Sequence, residues 1–342
     1  MIYSMRRTLI IAEIGVNHNA NWELAKAMIR SAAESGADVI KFQTAIPELV
    51  QTRLAPMAEY QVANTGKQES QLEMSKKLHF AHEIYPRLKD EVEKFGKVFL
   101  STAFDLESLN LLVAMGETTY KIPSGEITNL PYLRAIAAIA KKVLLSTGMA
   151  SFSEVTEAVH VLTANGISKS GITVLQCNTE YPTPFCDVNL SAMISMGKNL
   201  GLEYGYSDHT LGIEAALAAV ALGASVIEKH FTIDNNLQGP DQMVSLDPRS
   251  FALMVRSIRN VELALGDGIK KPSPSESKNK SIVRRSIFTA KALASGEVLT
   301  MDNLVVLRPE VGISPMCIDR VLGKAVIRNL PAQYPLSLDD VK

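Results

Sequence analysis

The sequence predicts a (β/α)8 barrel followed by a small β-rich domain. Short apolar runs of β-like composition alternate with longer segments of helical period from residue 8 to about residue 267. Eight such repeats over about 260 residues match the size of a closed (β/α)8 barrel. Beyond residue 267 the alternation stops, and short β-like pieces separated by turn signals continue to the C-terminus.

Eight runs are predicted strands, and several are apolar throughout, as parallel strands covered on both faces are. They are Leu9–Ile14, Val39–Gln43, Val98–Thr102, Thr119–Ile122, Val143–Ser146, Thr173–Gln176, Glu203–Tyr206 and Ser225–Glu228. The segments between them repeat apolar residues at helical spacing and often end in glycine. An open doubly wound sheet is the alternative. It is disfavoured because no glycine-rich phosphate fingerprint follows the first strand.

Composition divides the chain into a barrel domain at residues 1–267, a linker at 268–281 and a β-rich domain at 282–342. The linker is rich in Lys, Ser and Pro. A domain of about 60 residues has little core of its own, so we expect it to lean on another surface. Its predicted β-like pieces are Ser286–Thr289, Val298–Leu299, Leu304–Leu307 and Ala325–Ile327.

The charge balance and the cysteine content exclude several classes of protein. Lys and Arg number 35 against 36 Asp and Glu, which argues against nucleic acid or an anionic membrane as the main partner. Three cysteines without CxxC spacing give neither a disulfide framework nor a thiolate metal site. No apolar run reaches the ~18–20 residues of a membrane span, and the N-terminal pattern does not predict a signal peptide. We expect a soluble, cytoplasmic protein.

Polar and ionisable residues follow every predicted strand. The active site of a (β/α)8 barrel lies at the carboxyl ends of its strands. In strand order these residues are Glu13, Asn17 and His18; Lys41 and Gln43; Ser101 and Thr102; Lys121, Ser124 and Glu126; Ser146; Asn178, Thr179 and Tyr181; Ser207, Asp208 and His209; and Lys229 and His230. Eightfold repetition of this pattern predicts a catalytic site at the barrel mouth.

Two histidines at neighbouring strand ends predict a metal site. His209 follows the seventh strand and His230 closes the eighth, so their imidazoles can converge. Two neutral imidazoles with oxygen ligands or water suit a divalent ion such as Mn²⁺, with positions open for substrate. Hydrogen-bonded loop histidines are the competing interpretation, which suits a single histidine better than a pair. His18 is either a third member of the site or structural.

Two lysines and two glutamates are the candidate charged groups of the predicted site at the barrel mouth. Lys41 and Lys121 occupy equivalent positions on the second and fourth strands, and burying two like charges is costly unless an anion joins them. Alternatively a lysine pairs with Glu13 or Glu126, which fits one lysine better than both. The same glutamates are candidate acid–base groups, with structural ion pairing as the rival role. Hydroxyl groups would complete a cradle for phosphate and carboxylate, from Ser124, Ser146, Thr179 and Ser207.

These residues lie within ordered motifs, among them IIAEIGVNHN, IKFQT, YKIPSGEITNLPYL, LLSTGMA, LQCNTEYPTPF, GYSDHT and IEKHFT. From about residue 8 onward the chain resembles the sialic acid synthase family, most closely the bacterial N-acetylneuraminate synthases. The run RSIFTAKALASGEVLTMDNLVVLRPEVGISP resembles the family's C-terminal SAF (antifreeze-like) domain. The resemblance implies that phosphoenolpyruvate condenses with open-chain N-acetylmannosamine and water, giving N-acetylneuraminate and phosphate by C–O cleavage.

The resemblance also implies roles for individual residues. His209 and His230 hold Mn²⁺, with Mg²⁺ or Co²⁺ as alternatives, and Glu13 and Glu126 handle protons. Phosphoenolpyruvate lies against Lys41, Thr102, Lys121, Ser124, Ser146, Thr179 and Ser207. The acylamino-sugar is held by Glu13, Gln43, Tyr181 and Asp241.

An arginine of the SAF domain, Arg308, is expected to reach the partner subunit's site in a domain-swapped homodimer. Many family members have RPGxG here, whereas this chain reads RPEVG, and STPF is replaced by STAF at Ser101–Phe104. The altered loop around Arg308 affects how Arg308 is placed, and therefore which acyl group the enzyme prefers. A legionaminate or pseudaminate synthase acting on a 6-deoxy diacetamido-hexose is the alternative within the family. A non-catalytic carbohydrate-binding or antifreeze-like protein is the remote alternative.

Overall fold

The computed structural model describes residues 7–342, so the first six residues of the predicted barrel domain lie outside the described residues. The chain forms two compact units, one ending at Asp267 and the other comprising Gly268–Lys342. In the described part of the chain, no helix is long and apolar enough to cross a membrane.

The first unit is a nearly closed barrel of eight parallel strands, as predicted, hydrogen-bonded in the order β3-β2-β1-β8-β7-β6-β5-β4. The strands are β1 Leu9–Gly15, β2 Val39–Thr44, β3 Val98–Ala103, β4 Thr119–Ile122, β5 Lys142–Ser146, β6 Ile172–Gln176, β7 Glu203–Asp208 and β8 Val226–His230. The largest differences from the predicted bounds are at the carboxyl ends of β7 and β8, where each strand continues two residues further. These extra residues are polar, so the apolar runs from which the strands were predicted end before the strands do.

Helices connect the strands and cover the outside of the barrel. They are α1 Trp22–Glu34, α2 Pro47–Val50, α3 Glu59–Thr65, α4 Gln71–Leu78, α5 Tyr85–Glu93, α6 Leu106–Ala114, α7 Leu130–Ile139, α8 Phe152–Ala164, α9 Leu190–Leu200, α10 Glu214–Ala221 and α11 Pro248–Leu265. Side-chain caps begin many of them. Asn21 accepts from the amide of Leu24, and Ser151 with Glu154 forms a capping box. The three short helices α2, α3 and α4, between β2 and β3, were not predicted.

The barrel interior is layered by the two-residue period of its strands. Six apolar side chains fill one interior layer: Ile11, Val39, Leu100, Leu144, Leu175 and Val226. Because residues i and i+2 of a strand face the same side, the residue two positions further along each strand also points inward. Those positions hold Glu13, Lys41, Thr102, Ser146, Cys177 and Glu228. A mainly polar layer therefore lies directly above an apolar one, at the carboxyl end of the barrel.

The second unit contains a two-stranded antiparallel sheet, β9 Ser286–Thr289 with β10 Leu304–Leu307. The pieces predicted at Val298–Leu299 and Ala325–Ile327 form only isolated β-bridges, since each lies between turns. Within the predicted linker, Pro274–Val283 forms helix α12, which Ser273 and Glu276 cap. The unit has more core of its own than expected, comprising Ile287, Leu293, Leu299, Leu304, Val321, Val326, Leu330 and Leu336.

Candidate active site

A network of two lysines and two glutamates lies at the centre of the barrel mouth. Lys41 Nζ lies 2.8 Å from Glu13 Oε2 and 3.7 Å from Glu228 Oε2. Lys121 Nζ lies 2.8 Å from Glu228 Oε1. All four side chains are almost fully buried. Positive and negative charges therefore balance inside the cluster, which makes burial of the lysines tolerable without an added anion.

The sequence predicted this network only in part. Pairing of both lysines was the less favoured interpretation, yet both are paired. Lys121 pairs with Glu228 rather than with Glu126, whose carboxylate instead accepts from Asn129. Glu228 was not predicted as a site residue. The sequence feature that could have identified it is its spacing from His230. Glu228 lies two residues before His230 in β8, so both side chains are on the inward face of the strand.

The two carboxyl groups of the network have opposite pKa shifts. Burial, reinforced by the charge of Glu228, raises the pKa of Glu13 despite the neighbouring Lys41. Burial also acts on Glu228, but Lys121 and Lys41 outweigh it and hold its pKa well below the ordinary value. Divergent pKa values in one site mark a fixed charge beside a group that can exchange protons. Glu228 fits the role of the fixed charge, and Glu13 fits the role of the proton-exchanging group.

Hydroxyl groups extend from this network. Lys41 Nζ donates to Thr102 Oγ1 at 3.2 Å, and Ser207 Oγ donates to Glu228 Oε1 at 2.9 Å. Ser146 Oγ is buried and has no hydrogen-bond partner among the described residues. A buried hydroxyl without a partner is costly unless a ligand satisfies it. The lysines, with Thr102 and Ser207, thus form one connected group.

A second group forms around Gly148, which follows β5. Its amide donates to Ser124 Oγ at 3.0 Å, and Ser124 Oγ is 3.2 Å from Cys177 Sγ. A Cβ at position 148 would lie 2.8 Å from both Ser124 Oγ and Thr179 Cγ2. Only glycine allows this close approach. The structure therefore brings Ser124 and Thr179 together beside the loop that leaves Ser146.

The two histidines face each other at the ends of β7 and β8. Their ring centroids are 5.3 Å apart, and Tyr181 stacks on His209 at 4.0 Å. His209 Nδ1 contacts the carbonyl oxygen of Asn178, so Nδ1 carries the proton and Nε2 keeps its lone pair. His230 Nδ1 is buried without a hydrogen-bond partner among the described residues. Burial lowers the pKa of His209 to about 4, which keeps the ring neutral near pH 7.

This donor set fits a divalent ion with open coordination positions. Metal-binding histidines are neutral and commonly have their other ring nitrogen fixed by a carbonyl group, as His209 has. Within residues 7–342, no group of three His, Cys, Asp or Glu side chains has metal-binding geometry. Asp241 Oδ2 is the nearest carboxylate to His230, at 3.9 Å from Nδ1. Water or substrate oxygen atoms would complete the coordination of an ion held by the two histidines.

The predicted sugar-binding residues of the barrel lie on one side of this site. Gln43 Nε2 donates to Glu13 Oε1 at 2.9 Å. Asp241 is buried, and that burial, with the charge of Glu13, raises its pKa to about 7. Tyr60 of α3, which was not predicted, stacks on Tyr181 at 4.8 Å between ring centroids. Glu13, Gln43, Tyr181 and Asp241 thus adjoin the histidines.

Gly15 allows Glu13 and Gln43 to make their hydrogen bond. Its φ is +56°, a conformation that favours glycine. A Cβ there would also lie 3.1 Å from Glu13 Oε1 and 3.2 Å from Gln43 Nε2. The glycine that ends β1 therefore leaves room for the polar contact.

Arg308 lies in the second unit, directly after β10, and its side chain is exposed. It has no ion pair or hydrogen bond among the described side chains. The structure thus shows a free guanidinium group on the SAF-like unit.

The NeuB family model matches residues 28–270, and the SAF domain model matches residues 284–342. The chain is 50% identical to an N,N'-diacetyllegionaminic acid synthase of Campylobacter jejuni, over 95% of this chain and 97% of that protein. It is 42% identical to a protein of the same name in Legionella pneumophila, over 97% of this chain and 94% of that one. A solved N-acetylneuraminic acid synthetase from Leptospira borgpetersenii is 34% identical, with a TM-score of 0.70, covering 81% of this chain and 92% of that chain.

These matches agree with the barrel and with the separate C-terminal unit. The matched family region covers more than half of the chain, and the relatives align over nearly its whole length. The protein therefore belongs to the NeuB family of sialic-acid-type synthases and carries a C-terminal SAF domain.

Proposed function

We propose that this enzyme condenses phosphoenolpyruvate with an open-chain 6-deoxy diacetamido-hexose and water, giving a diacetyllegionaminate-type sugar acid and phosphate. The observation that carries this proposal is the buried Lys41–Glu13 and Lys121–Glu228 network beside two neutral histidines. The relatives at 50% and 42% identity are both named N,N'-diacetyllegionaminic acid synthases. They favour the diacetamido acceptor over N-acetylmannosamine, which was the first expectation from sequence.

Phosphoenolpyruvate is proposed to bind where the two lysines and the surrounding hydroxyl groups converge. Lys41 and Lys121 supply positive charge, and the unpartnered Ser146 hydroxyl and the Gly148 loop supply donors. Because Glu13 and Glu228 already balance the lysines, the incoming anion competes with carboxylates for the same ammonium groups. Thr102, Ser124, Thr179 and Ser207 line the same region and are expected to contribute hydroxyl contacts.

The proposed reaction forms one C–C bond and breaks one C–O bond. The enol carbon of phosphoenolpyruvate attacks the aldehyde carbon of the sugar, and the aldehyde oxygen gains a proton. Water adds to the resulting oxocarbenium carbon and gives up a proton. The hydroxyl group of the tetrahedral intermediate then loses its proton as phosphate leaves by C–O cleavage, and the product is a 2-keto acid. Glu13, with its raised pKa, is the proposed proton-exchanging group, and Glu228 stays ionised. Glu126 remains a second candidate.

A divalent ion, Mn²⁺ or alternatively Mg²⁺ or Co²⁺, is proposed to bind His209 and His230. When bound, it supplies Lewis-acid polarisation of the acceptor aldehyde. The protein's own part is to keep both rings neutral, since burial lowers the pKa of His209 and of His230, and to fix His209 through Asn178. Tyr181, stacked on His209, positions that ring from the sugar side.

Phosphate release from phosphoenolpyruvate tests the proposal. The purified enzyme is assayed with Mn²⁺ or with a chelator, and with three acceptors: a 2,4-diacetamido-2,4,6-trideoxymannose, its pseudaminate-type stereoisomer and N-acetylmannosamine. We expect metal-dependent turnover, with the highest kcat/KM for the first sugar. Preference for N-acetylmannosamine would restore the first expectation. No turnover with any of the three would leave the non-catalytic alternative.

We also propose a homodimer in which Arg308 of the SAF domain serves the partner subunit's site. Its exposed, unpaired guanidinium group supports this role, since an acyl oxygen is an acceptor that arginine binds well. Mixing two inactive variants tests it. An Arg308→Ala chain and a His209→Ala chain should form an active heterodimer, because one site then has both residues intact. Failure of the mixed dimer to regain turnover would show that Arg308 does not act across subunits.

A further inference from the structure

A cavity of about 230 Å³ lies beside the candidate active site, between the barrel mouth and the short helices that follow β2. One part of its wall consists of site residues, namely Gln43, Tyr181, His230 and Asp241. The cavity is therefore continuous with the predicted sugar site. Its volume equals that of roughly eight liquid waters at ~30 Å³ each, which suits part of a monosaccharide rather than a larger ligand.

The remaining wall combines aliphatic and aromatic side chains with several neutral amide, hydroxyl and imidazole groups. Val50 of α2 and Met74 and Leu78 of α4 supply aliphatic surface. Tyr60 supplies an aromatic side chain. No Lys or Arg belongs to the cavity wall among the described residues. A phosphate group would lack a cationic partner here, so this wall does not suit a phosphorylated acceptor. Methyl and acyl groups suit it.

His79 gives this wall an unsatisfied hydrogen-bonding atom. It lines the cavity directly after α4, and its Nδ1 is buried without a partner among the described residues. A buried polar nitrogen without a partner costs free energy, which a ligand that pairs with it recovers. An amide offers both an N–H donor and a C=O acceptor, so it can satisfy either tautomer of a neutral histidine.

We infer that this cavity is the subsite for the second acylamino group of the acceptor, with His79 as its hydrogen-bonding residue and Met74 as an apolar contact for the acyl methyl. The inference rests on the proposed function, because only a diacetamido sugar carries that second group. N-acetylmannosamine has a hydroxyl group in its place, which would leave His79 Nδ1 without its amide partner and Met74 without its methyl contact. The subsite therefore favours the diacetamido sugar over N-acetylmannosamine.

Acceptor discrimination tests the inference in the metal-loaded enzyme. We compare wild type with His79→Leu, which removes the polar atom, and with His79→Asn, which keeps a polar atom near the Nδ1 position. His160→Leu, on the exposed surface of α8, is the control. The kinetic readout is kcat/KM for 2,4-diacetamido-2,4,6-trideoxymannose and for N-acetylmannosamine. Thermal unfolding of each variant identifies any loss of fold.

In His79→Leu we expect kcat/KM for the diacetamido sugar to fall about tenfold to hundredfold, mainly through KM. The value for N-acetylmannosamine should change less than about threefold, and His79→Asn should recover part of the loss. Equal losses for both acceptors, or no loss for either, would overturn the subsite. If wild type itself prefers N-acetylmannosamine, the proposed function fails instead, so the two failures are distinguishable.

Discussion

Lys229 Nζ donates to Asp208 Oδ2 at 2.8 Å, and this fully buried pair holds together the two strands that carry the candidate metal ligands. Lys229 also donates to the Thr210 carbonyl, at 2.6 Å, and Asp208 Oδ1 accepts from the Thr210 amide and hydroxyl. The residues on both sides of His209 are thus attached to the residue before His230. We therefore expect the pair to position the two imidazoles relative to each other, although neither member of the pair is a candidate metal ligand.

Replacing Asp208 with Asn should weaken metal binding and stability together. It leaves the buried Lys229 ammonium without its counter-charge, which typically costs about 3–5 kcal/mol of unfolding free energy. Loss of such a supporting contact lowers metal affinity by about 10–100-fold. Chemical denaturation and Mn²⁺ titration measure the two effects. The double variant Asp208→Asn, Lys229→Met should regain stability but not metal affinity. Unchanged Mn²⁺ affinity in Asp208→Asn would refute the positioning role.

Glu228→Gln should make the protein depend on anions for stability. Lys121 then loses its carboxylate partner and Lys41 keeps only Glu13, at a cost of about 3–5 kcal/mol. A bound anion stabilises the native state by mass action, and it no longer competes with Glu228. Phosphoenolpyruvate should therefore raise the Tm of Glu228→Gln by more than it raises the Tm of wild type. Glu117→Gln, which removes a remote ion pair with Lys89, is the control. An equal or smaller rise would contradict the competition.

Gly148→Ala should damage phosphoenolpyruvate binding while sparing the fold. The added Cβ would meet Ser124 Oγ and Thr179 Cγ2 at 2.8 Å, so both side chains must move. We expect affinity for phosphoenolpyruvate, measured by calorimetry, to fall about tenfold or more, since two donors leave their positions. Gly125→Ala is the matched control, because a Cβ there meets nothing within 4 Å. If both variants bind equally well, the Gly148 loop is not part of the anion cradle.

His18 should make the protein less stable in mild acid. Burial, with the nearby His79, lowers the pKa of His18 to about 3, whereas the unfolded chain protonates near its ordinary value of 6.5. Between these values the unfolded state binds more protons, so the unfolding free energy falls as pH falls. The slope contributed by His18 is about 1.4 kcal/mol per pH unit. His18→Gln should remove that contribution in denaturation curves at pH 4–6.5. The surface variant His160→Gln should keep the slope, and an unchanged slope in His18→Gln would contradict the assignment.

The strands and the polar layer were predictable because period-2 alternation places every second residue on the inner face. Lys41, Thr102 and Lys121 could be identified from strand ends alone. Glu228 closes the predicted eighth strand but was missed because its partners come from distant strands. Tyr60 was missed for a different reason. The segment between β2 and β3 has only short helices, whose arrangement depends on tertiary contacts rather than on periodicity.

We expect that exchange of one segment of the chain can change the acceptor of this enzyme. The charged network and the histidines belong to the strands and their immediate ends, whereas much of the proposed acceptor wall belongs to the stretch between β2 and β3. Transplanting residues 45–79 from a relative with another acceptor exchanges much of the wall and leaves the lysine–glutamate framework untouched. On the proposed function, acceptor choice and bond-making chemistry are expected to be separable, both in inheritance and in engineering of this fold.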